Sequence, residues 1–598
     1  MAGPTKVKDS VADLTASGAS GPWIDVTTIA GVVANGTTDV AAAINAAIAA
    51  APAKVYYFPE GTYLFESDSL TILDKTSIIG AGKDLVTIKN TSFASIFGGP
   101  LVNLSASGGS GQCISGITFS YLGNTTTNTN STIIKVDGNS QIDITQCAFV
   151  DQSTAGTEFC VGISVGGWYS PASVAPNVSG IRIYDNYFNI AYHGIEITGG
   201  SDSLYVQNND MYINRAGSFS SRSILLRLCN NALIEGNTAS SPIRLEGCQY
   251  CSINNNQVVA GYDTSITPLI SLNASGTVYS TYNQLRGNSA INSAYSANAL
   301  YIAASCSHNS VTDNNFSVGG TSINNVEIRG TYCAVVGNYI NKGDSGIYVV
   351  SGTGIRVTDN RVLGQQTACV YFDTSGSNVV VSNNYLEMPS NGYNIYCTSY
   401  QQILIENNNI KALNGLVIDL EGCAYAVVSG NSIYTGDKAV RLINCSSVRV
   451  DGNVFQSPNS AIYTDGITNG VFVNNIVVSA AYIAIRIDSN TYGTTRELNV
   501  SNNVISSPAN KAIDLTSSGI NVVVSGNQIN SAASGGPAIN LAGTQITANG
   551  NNVRGGSPTY GIYMNGCTNS VAVGNNCAGV TATVAQYDLT GVTASTNI

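Results

Sequence analysis

A short asparagine-centred pattern recurs along most of this chain. VVSGNSIY at residues 427–434 and VVSGNQI at residues 523–529 each place a hydrophobic residue three positions before an asparagine and another two positions after it. The asparagines of this pattern are Asn186, Asn209, Asn237, Asn256, Asn288, Asn314, Asn338, Asn360, Asn384, Asn408, Asn431, Asn453, Asn475, Asn503, Asn527, Asn551 and Asn576. The sixteen steps cover 390 residues, a mean of about 24 per step. A fixed period of 20 to 50 residues is typical of stacked repeats, in which each unit covers its neighbour's apolar face.

Each repeat also carries a second short β-type segment, such as AVRLI at 439–443 and AIRID at 484–488. Alternating apolar and polar residues with β-branched side chains predict strands. We therefore predict an all-β fold, a single-stranded right-handed parallel β-helix. Weaker copies precede the series, with Ile117 and Cys147 at the asparagine position. A side-chain amide both donates and accepts, so we interpret the asparagines as structural.

Composition limits the classes of ligand. The net charge of -11 and pI near 4.7 argue against a nucleic-acid partner and permit a neutral or cationic one. No segment is apolar enough to insert into a membrane, and MAGPTKVKDS at the N-terminus lacks the apolar region of a signal peptide, which predicts folding in a cytoplasm.

The cysteines predict a core ladder. Six of them follow the second strand of a repeat, which favours small buried side chains: Cys229, Cys248, Cys306, Cys423, Cys445 and Cys567. With only two histidines and no metal-type spacing, we expect no metal and no cofactor.

The N-terminal region differs from the repeats. TTDVAAAINAAIAAA at 37–51 places Val40, Ala43, Ile44, Ala47 and Ile48 on one helical face, with Asp39 at its start. Such a helix would cap the open end of the β-helix, because an end coil exposes unpaired strand edges.

The helix is followed by KVYYFPEGTYLF at 54–65. Together with NGTTD at 35–39, this segment resembles the N-terminal motif of the pectate-lyase-like parallel β-helix superfamily, in the form found in bacteriophage tailspikes and capsule depolymerases. We accordingly divide the chain into a short virion-attachment segment (1–24), a cap with the first coils (25–110) and the β-helix body (111–598).

The resemblance implies a homotrimer in the virion tail, assembled in the host cytoplasm and joined to a phage tail or baseplate component through its N-terminus. It implies bacterial surface polysaccharide as the ligand. The chain departs from the pattern where it stops at Ile598 without an evident C-terminal trimerisation domain.

In register, the second strands place one residue per coil on the outer face, because strand side chains alternate. These residues are Glu196, Arg227, Arg244, Ser271, Tyr301, Glu327, Tyr348, Tyr371, Tyr396, Asp419, Arg441, Tyr463, Arg486, Asp514, Asn540 and Tyr563. A continuous exposed stripe of this kind favours a polysaccharide groove, where tyrosines stack on sugars, and the alternative is an inter-subunit face. The substrate-binding candidates are Tyr301, Tyr348, Tyr371, Tyr396, Arg441 and Tyr463, with Trp168 on a long loop at 166–177.

Glycoside hydrolysis needs two carboxyl groups. Asp419 and Glu421 are two residues apart on one strand, roughly 6.6 Å at 3.3 Å per residue. Asp373 and Glu327 lie two and four coils earlier, so Asp419 with Glu421, or Asp373 with a neighbour, are the catalytic candidates. The same LEGC context at Glu246 allows Glu421 to be an ordinary corner residue.

These observations predict a tailspike-like receptor-binding protein that recognises lipopolysaccharide O-antigen or capsule and hydrolyses it as an endo-glycosidase. The alternatives are an adhesin or tail fibre that binds without cutting and a secreted pectate-lyase-like enzyme.

Overall fold

The computed structural model describes most of the chain beyond residue 22. The described residues are 23–91, 99–104, 110–122, 131–138, 140–152, 160–166, 178–199, 202–213, 221–259, 268–292, 297–320, 323–389, 391–489, 492–516, 519–533, 535–564, 566–577, 587–588 and 592–595. They form two compact units, Met1–Asn315 and Phe316–Ile598. The predicted boundaries at residues 24 and 110 remain predictions.

Three sheets, here called A, B and C, run through the first unit, and successive coils add one parallel strand to each. Sheet A contains Trp23–Asp25, Val55–Phe58, Ser77–Gly80, Ser110–Ser115, Ser140–Thr145, Ile181–Tyr184, Leu204–Gln207, Ala232–Glu235, Ser252–Asn254, Gln284–Arg286 and Ser310–Thr312. Sheet B contains Asn35–Asp39, Gly61–Leu64, Val86–Lys89, Thr118–Tyr121, Ala148–Asp151, Tyr187–Ile190, Asp210–Ile213, Thr238–Ala239, Gln257–Val259 and Ser289–Asn292. Sheet C contains Leu70–Ile72, Val102–Leu104, Ser131–Val136, Cys160–Val165, His193–Thr198, Arg222–Arg227, Ile243–Glu246, Ile270–Asn273 and Leu300–Ile302.

The second unit is also built from three parallel sheets, which are given the same letters. Sheet A contains Ala334–Val336, Arg356–Thr358, Ser377–Ser382, Gln401–Glu406, Ala424–Ser429, Ser446–Asp451, Thr468–Val473, Arg496–Ser501, Gly519–Ser525, Gly543–Asn549, Ser570–Val573 and Val592–Ser595. Sheet B contains Asn315–Val318, which starts at the unit boundary, then Tyr339–Asn341, Arg361–Leu363, Tyr385–Met388, Asn409–Ala412, Ser432–Tyr434, Val454–Gln456, Ile476–Val478, Val504–Ser506, Gln528–Ala532 and Asn552–Gly556. Sheet C contains Val326–Ile328, Ser345–Val349, Ala368–Phe372, Tyr393–Thr398, Leu416–Glu421, Lys438–Ile443, Ser460–Asp465, Ile485–Asp488, Ile513–Leu515, Pro537–Leu541, Tyr560–Met564 and Tyr587–Asp588.

One α-helix, Ala41–Ala50, occurs among the described residues, after a 3-10 turn at Val26–Thr28. Its buried side chains are Ala41, Ile44 and Ile48. The cap residue is Val40, one position later than predicted, although Asp39 Oδ1 accepts from the Ala41 amide at 3.1 Å. No helix within the described ranges is long and apolar enough to cross a membrane. The predicted fold class, an all-β parallel β-helix with an N-terminal helix, is confirmed.

The repeated asparagines form a buried hydrogen-bonded ladder in each unit. The Nδ2 of each donates to the Oδ1 of the next at 2.8–3.0 Å. The ladder runs from Asn186 to Asn314 in the first unit and from Asn338 to Asn575 in the second. The structural interpretation is therefore confirmed, except that the last position is Asn575 and not Asn576.

The residue before each ladder asparagine adopts the left-handed conformation. Gly430, which precedes Asn431, has φ 64°, and Asn407, which precedes Asn408, has φ 56°. This region favours glycine and tolerates asparagine and aspartate. The conformation turns the following asparagine into the interior, which explains why glycine, asparagine or aspartate precedes it.

The interior is filled by rows of like side chains. Phe119, Phe149 and Phe188 stack on successive coils with ring centroids 5.6 and 4.5 Å apart. Thirteen of the fourteen cysteines are buried, as the predicted row of small core side chains requires for the six second-strand positions. Cys113 is partly exposed. Each successive coil therefore adds one side chain to each row of the core.

The ladder predicts a large stability loss when one amide is removed. Asn431 accepts from the Asn408 side chain at 2.9 Å and donates to Ile405 O at 3.0 Å and Asn453 Oδ1 at 2.9 Å. We expect Asn431→Ala to lower the free energy of unfolding by on the order of 3 kcal/mol, because buried partners lose their bonds. The measurement is urea denaturation followed by far-UV circular dichroism.

The matched control is Asn409→Ala, which changes an exposed asparagine of the neighbouring strand. We expect its urea midpoint to match that of the unchanged protein. Equal urea midpoints for the two variants would contradict the proposed contribution of the asparagine ladder to stability.

Candidate functional site

The outer face of sheet C in the second unit carries one continuous row of side chains, here called the sheet C row. Pairing of successive strands fixes its order as Glu327, Tyr348, Tyr371, Tyr396, Asp419, Arg441, Tyr463, Arg486, Asp514, Asn540 and Tyr563. This register agrees with the one predicted from the sequence. Most of the predicted site residues therefore lie on one face of one unit.

In the first unit the predicted register is wrong at one coil. Glu196 pairs with Leu225, and Arg227 lies two residues further along the strand, opposite Thr198. Leu225 is itself buried, and the run SILL at 223–226 is buried throughout. It does not alternate between apolar and polar residues, so the sequence does not indicate which side chains face outward. Tyr301 lies in this unit, half-buried and paired with Ser271. Trp168 lies outside the described residues.

Four tyrosines form the centre of the site. The ring centroids of Tyr348 and Tyr371 are 5.3 Å apart, and those of Tyr371 and Tyr396 are 4.8 Å apart. Tyr393, which the sequence analysis missed, lies 4.7 Å from Tyr396. Alternation fails just after it, because Asn394 and Ile395 are both buried, and counting by twos therefore passes over Tyr393. All four rings are half-buried, so they offer aromatic surface to a ligand.

Two accessible carboxylates flank the tyrosines. Asp373 follows Phe372, which pairs with Cys397, and Glu421 pairs with Thr398, so the two carboxylates lie on one line two coils apart. Asp373 Oδ2 accepts from the Tyr348 hydroxyl at 2.7 Å. The Glu421 side chain is 35% exposed. Both therefore border the surface that the tyrosines form.

Asp419 lies beneath this surface. Its side chain is fully buried, in contrast to the exposed position predicted from alternation. Arg441 covers it, with Nη1 2.8 Å from Asp419 Oδ2 and Nη2 3.1 Å from Glu421 Oε1. Burial raises the pKa of Asp419 to about 7, against the opposing attraction of Arg441. Its Oδ1 has no hydrogen-bond partner among the described residues.

The other acidic residues of the row are also less exposed than predicted. Glu327 is buried and paired with Arg329 at 2.7 Å. Asp514 is buried and paired with Lys511 at 2.9 Å. The predicted stripe is thus partly covered, because long neighbouring side chains fold over the short acidic ones.

The remaining predicted contact, Tyr463, lies between cations. Lys438 Nζ and Arg486 Cζ are each 5.5 Å from the centroid of its half-buried ring. Arg486 also pairs with Asp488 at 3.0 Å. This end of the row is a charged and aromatic surface.

A trough of about 490 Å³ borders the tyrosines. It is lined by Asn391, Gly392, Tyr393, Asn414, Gly415, Leu416, Gly436 and Asp437. A Cβ on Gly415 would lie 2.5 Å from the Gly392 carbonyl oxygen, so the close approach of the coils requires glycine there. The trough extends the accessible surface past Tyr393, whose pKa is raised by burial and by the nearby Asp419.

Two family models match parts of the chain. Residues 23–254 match the family described as rhamnogalacturonase A/epimerase, pectate lyase-like. This match confirms the resemblance to the pectate-lyase-like β-helix superfamily that the N-terminal motif indicated. Residues 317–497 and 427–549 match the family described as periplasmic copper-binding protein (NosD). No curated protein matches the chain.

Several solved structures are similar to the chain at low identity. Tailspike protein 3 of bacteriophage CBA120 is 13% identical, with 83% of this chain and 64% of that chain covered and a TM-score of 0.36. The tailspike protein of Acinetobacter baumannii phage AM24 is 13% identical, with 54% and 52% covered and a TM-score of 0.31. The Streptococcus pneumoniae surface protein and adhesin PfbA is 12% identical, with 78% and 100% covered and a TM-score of 0.30. Similarities this low carry no information about ligand or reaction.

The residues of the NosD match do not fit a copper site. Within the described residues, no group of three or more His, Cys, Asp or Glu is arranged to hold a metal ion. Both histidines lie outside the matched segments. The thiols of Cys423 and Cys445 are buried and donate to backbone carbonyls at 3.5 and 3.2 Å.

The buried Asp419 predicts a specific pH dependence of stability. Its pKa is about 7 in the folded protein and 3.8 in its unperturbed state. Between about pH 4 and pH 7 the unfolded chain loses this proton while the folded protein keeps it, so the free energy of unfolding falls as pH rises. We expect Asp419→Asn to remove a slope of at most about 1.4 kcal/mol per pH unit, measured by urea denaturation at pH 4, 5.5 and 7.

Asp451→Asn is the control of opposite sign. Partial burial raises the pKa of Asp451, but hydrogen bonds from Arg449 and Asn474 outweigh it and hold this pKa below its usual value. Its stabilising contribution is therefore lost as pH falls. If Asp419→Asn showed the same pH profile as the unchanged protein, the buried acid would be ionised throughout.

Proposed function

We propose that this pectate-lyase-like β-helix protein is a phage tailspike-like receptor-binding protein that binds bacterial surface polysaccharide along the sheet C row. The observation that carries the proposal is the run of half-buried tyrosine rings at Tyr348, Tyr371 and Tyr396, spaced 5.3 and 4.8 Å apart. Aromatic faces stack on sugar rings, and flanking charged groups bind hydroxyls. A ligand that follows this row would be an extended chain.

We further propose that the protein hydrolyses this polysaccharide, with Asp373 and Glu421 as the two carboxyl groups. Two coils separate their backbone positions by roughly 9.5 Å at the usual strand spacing of about 4.8 Å. An inverting glycosidase places its carboxyl groups ~6.5–9.5 Å apart, with space for a water molecule between them. In such a reaction one carboxylic acid protonates the glycosidic oxygen and the other carboxylate activates the water.

In this proposal Asp419 and Arg441 position the reacting groups. Asp419 is fully buried, so it does not reach a ligand, but it anchors Arg441 at 2.8 Å. Arg441 in turn holds Glu421 at 3.1 Å. Glu327 is buried beside Arg329 four coils before Asp419, which supports a structural role for it.

A second candidate is an adhesin that binds the same polysaccharide without cutting it. The observation that favours it is the 3.1 Å ion pair between Arg441 and Glu421, because this contact occupies one of the two carboxylates that cleavage would need. Both candidates use the tyrosine row, and they differ only in whether the ligand becomes shorter.

The assembly we propose is a homotrimer in the virion tail, attached to a tail or baseplate component through residues 1–24. An apolar row on the outer face of sheet A in the second unit supports a contact between copies. It contains Val380, Leu404, Val427, Val471, Val523 and Val571, interrupted by Arg449, Asn499 and Thr547. Val523 and Val571 are 38% and 39% exposed. Packing this row against other copies would leave the sheet C row free for a ligand.

Binding and cleavage are separable by substitution. We expect Tyr371→Ala to weaken binding of host polysaccharide by about tenfold, the equivalent of ~1.4 kcal/mol for a lost stacking contact. We expect Glu421→Gln and Asp373→Asn to bind an uncharged polysaccharide normally but to cleave it roughly 10²–10⁴-fold more slowly. Surface plasmon resonance measures the first effect, and size-exclusion chromatography of the polysaccharide measures the second.

The controls lie on sheet B. Tyr434→Ala removes a tyrosine that is 45% exposed, and Glu387→Gln removes a carboxylate paired with Lys411 at 3.0 Å. Neither is expected to change binding or cleavage. Tight binding with an unchanged polysaccharide length would support the adhesin, and equal losses in Tyr371→Ala and Tyr434→Ala would refute the groove.

The contact face is tested by charge insertion. We expect Val471→Asp combined with Val523→Asp to convert trimers to monomers in analytical ultracentrifugation, because buried unpaired carboxylates at an interface are costly. Val478→Asp on sheet B, at a site that is 41% exposed, is the control and should remain trimeric. Dissociation by Tyr371→Asp in place of the sheet A variant would identify the sheet C row as the inter-subunit face.

A further inference from the structure

The cations of the sheet C face are all neutralised by neighbouring carboxylates within the described residues. Arg329 pairs with Glu327 at 2.7 Å, and Arg486 pairs with Asp488 at 3.0 Å. Arg441 is held between two carboxylates at 2.8 and 3.1 Å.

The two lysines of this face are paired as well. Lys511 Nζ lies 2.9 Å from Asp514, and Lys438 Nζ lies 3.7 Å from Asp437. A sugar carboxylate or sulfate would therefore meet no uncompensated positive charge on the described part of this face.

Asp373 is the opposite case, a carboxylate whose hydrogen-bond donors among the described residues are all neutral. Its partners are the Tyr348 hydroxyl at 2.7 Å and the Thr374 amide at 3.0 Å. It is half-buried beside the tyrosine rings, so its negative charge acts directly on a ligand that stacks there. Neutral hydroxyl groups and ammonium groups can donate to this carboxylate, whereas an acidic sugar would be repelled by it.

The surrounding residues increase the negative charge. Along the sheet C row from Glu327 to Asp514 and the parallel row from Arg329 to Asp488, and with the two lysines and Asp437 included, the face carries eight carboxyl groups and five cationic groups. The acidic residues are Glu327, Asp373, Asp419, Glu421, Asp437, Asp465, Asp488 and Asp514, and the basic ones are Arg329, Lys438, Arg441, Arg486 and Lys511. The field along the tyrosines is therefore negative.

We infer that the groove selects polysaccharides of uncharged or amino sugars and rejects polymers of acidic sugars, with Asp373 as the residue that sets this preference. The inference rests on the proposed function, because it concerns the ligand of the same groove. It separates this chain from what the pectate-lyase-like family description suggests, since pectate is a polymer of acidic sugars.

The test uses a panel of purified bacterial O-antigens and capsular polysaccharides of known composition. The panel is grouped into uncharged polymers, polymers with free amino groups, and polymers with uronate, sialate or phosphate. Polygalacturonate is added as a further acidic probe, with and without calcium. We expect the bound polymers to fall in the first two groups, and binding of amine-containing polymers to weaken as salt rises.

Substitution of Asp373 then tests its assigned role. Asp373→Asn should weaken binding of an amine-containing polymer by about fivefold, the equivalent of ~1 kcal/mol for one charge in contact, and should leave binding of an uncharged polymer unchanged. Asp451→Asn on sheet A is the control, with no change expected for either polymer.

The outcomes separate the two proposals. Binding of polygalacturonate or another acidic polymer as tightly as the uncharged ones, with or without calcium, would overturn the charge preference and leave the polysaccharide groove standing. An equal loss for charged and uncharged polymers in Asp373→Asn would overturn the role of Asp373. Binding to no member of the panel would contradict the proposed function itself.

Discussion

The hydrogen bond between asparagine side chains of successive coils is the interaction on which the rest of the structure depends. Asn431, for example, links Asn408 and Asn453 and also satisfies the carbonyl of Ile405, all at 2.9–3.0 Å. An unpaired buried amide or carbonyl costs free energy, so each asparagine fixes the register of its coil against both neighbours. Because the ladder fixes the register of the coils, it also aligns the other rows of side chains, including the tyrosines.

Alignment by the ladder explains how a repetitive scaffold produces a localised site. Residues that are 20 or more positions apart become neighbours whenever they occupy the same place in their coils, as Tyr348, Tyr371 and Tyr396 do. A change of one residue type in one coil alters the surface without altering the backbone. Gly392 and Gly415 have no side chains to fill the space between coils, and they line the trough beside Tyr393. The face can thus combine aromatic surface, carboxylates and open space.

The scaffold and much of the site could be predicted from the sequence because both are periodic. The prediction was wrong where the pattern is locally ambiguous. At Asn575 and Asn576 two adjacent asparagines fit the repeat, and the left-handed Gly574 directs the first of them inward. At Leu225 a buried apolar residue occupies the position in line with Glu196, so alternation misplaced Arg227 by two residues. Tyr393 was missed because two buried residues follow it in succession. In each case the local backbone, and not the residue type, decides the direction of the side chain.

The sequence by itself determined the β-helix, its asparagine ladder, and the order of the sheet C row in the second unit, because these depend on spacing along the chain. Only the tertiary structure decided which members of that row reach the surface. Asp419 and Glu327 are covered, whereas Asp373 and Glu421 remain accessible. The physical reason is that exposure depends on how far the side chains of neighbouring coils extend, as when Arg441 folds over Asp419. Spacing places a residue in a row, but its neighbours in space decide whether it can meet a ligand.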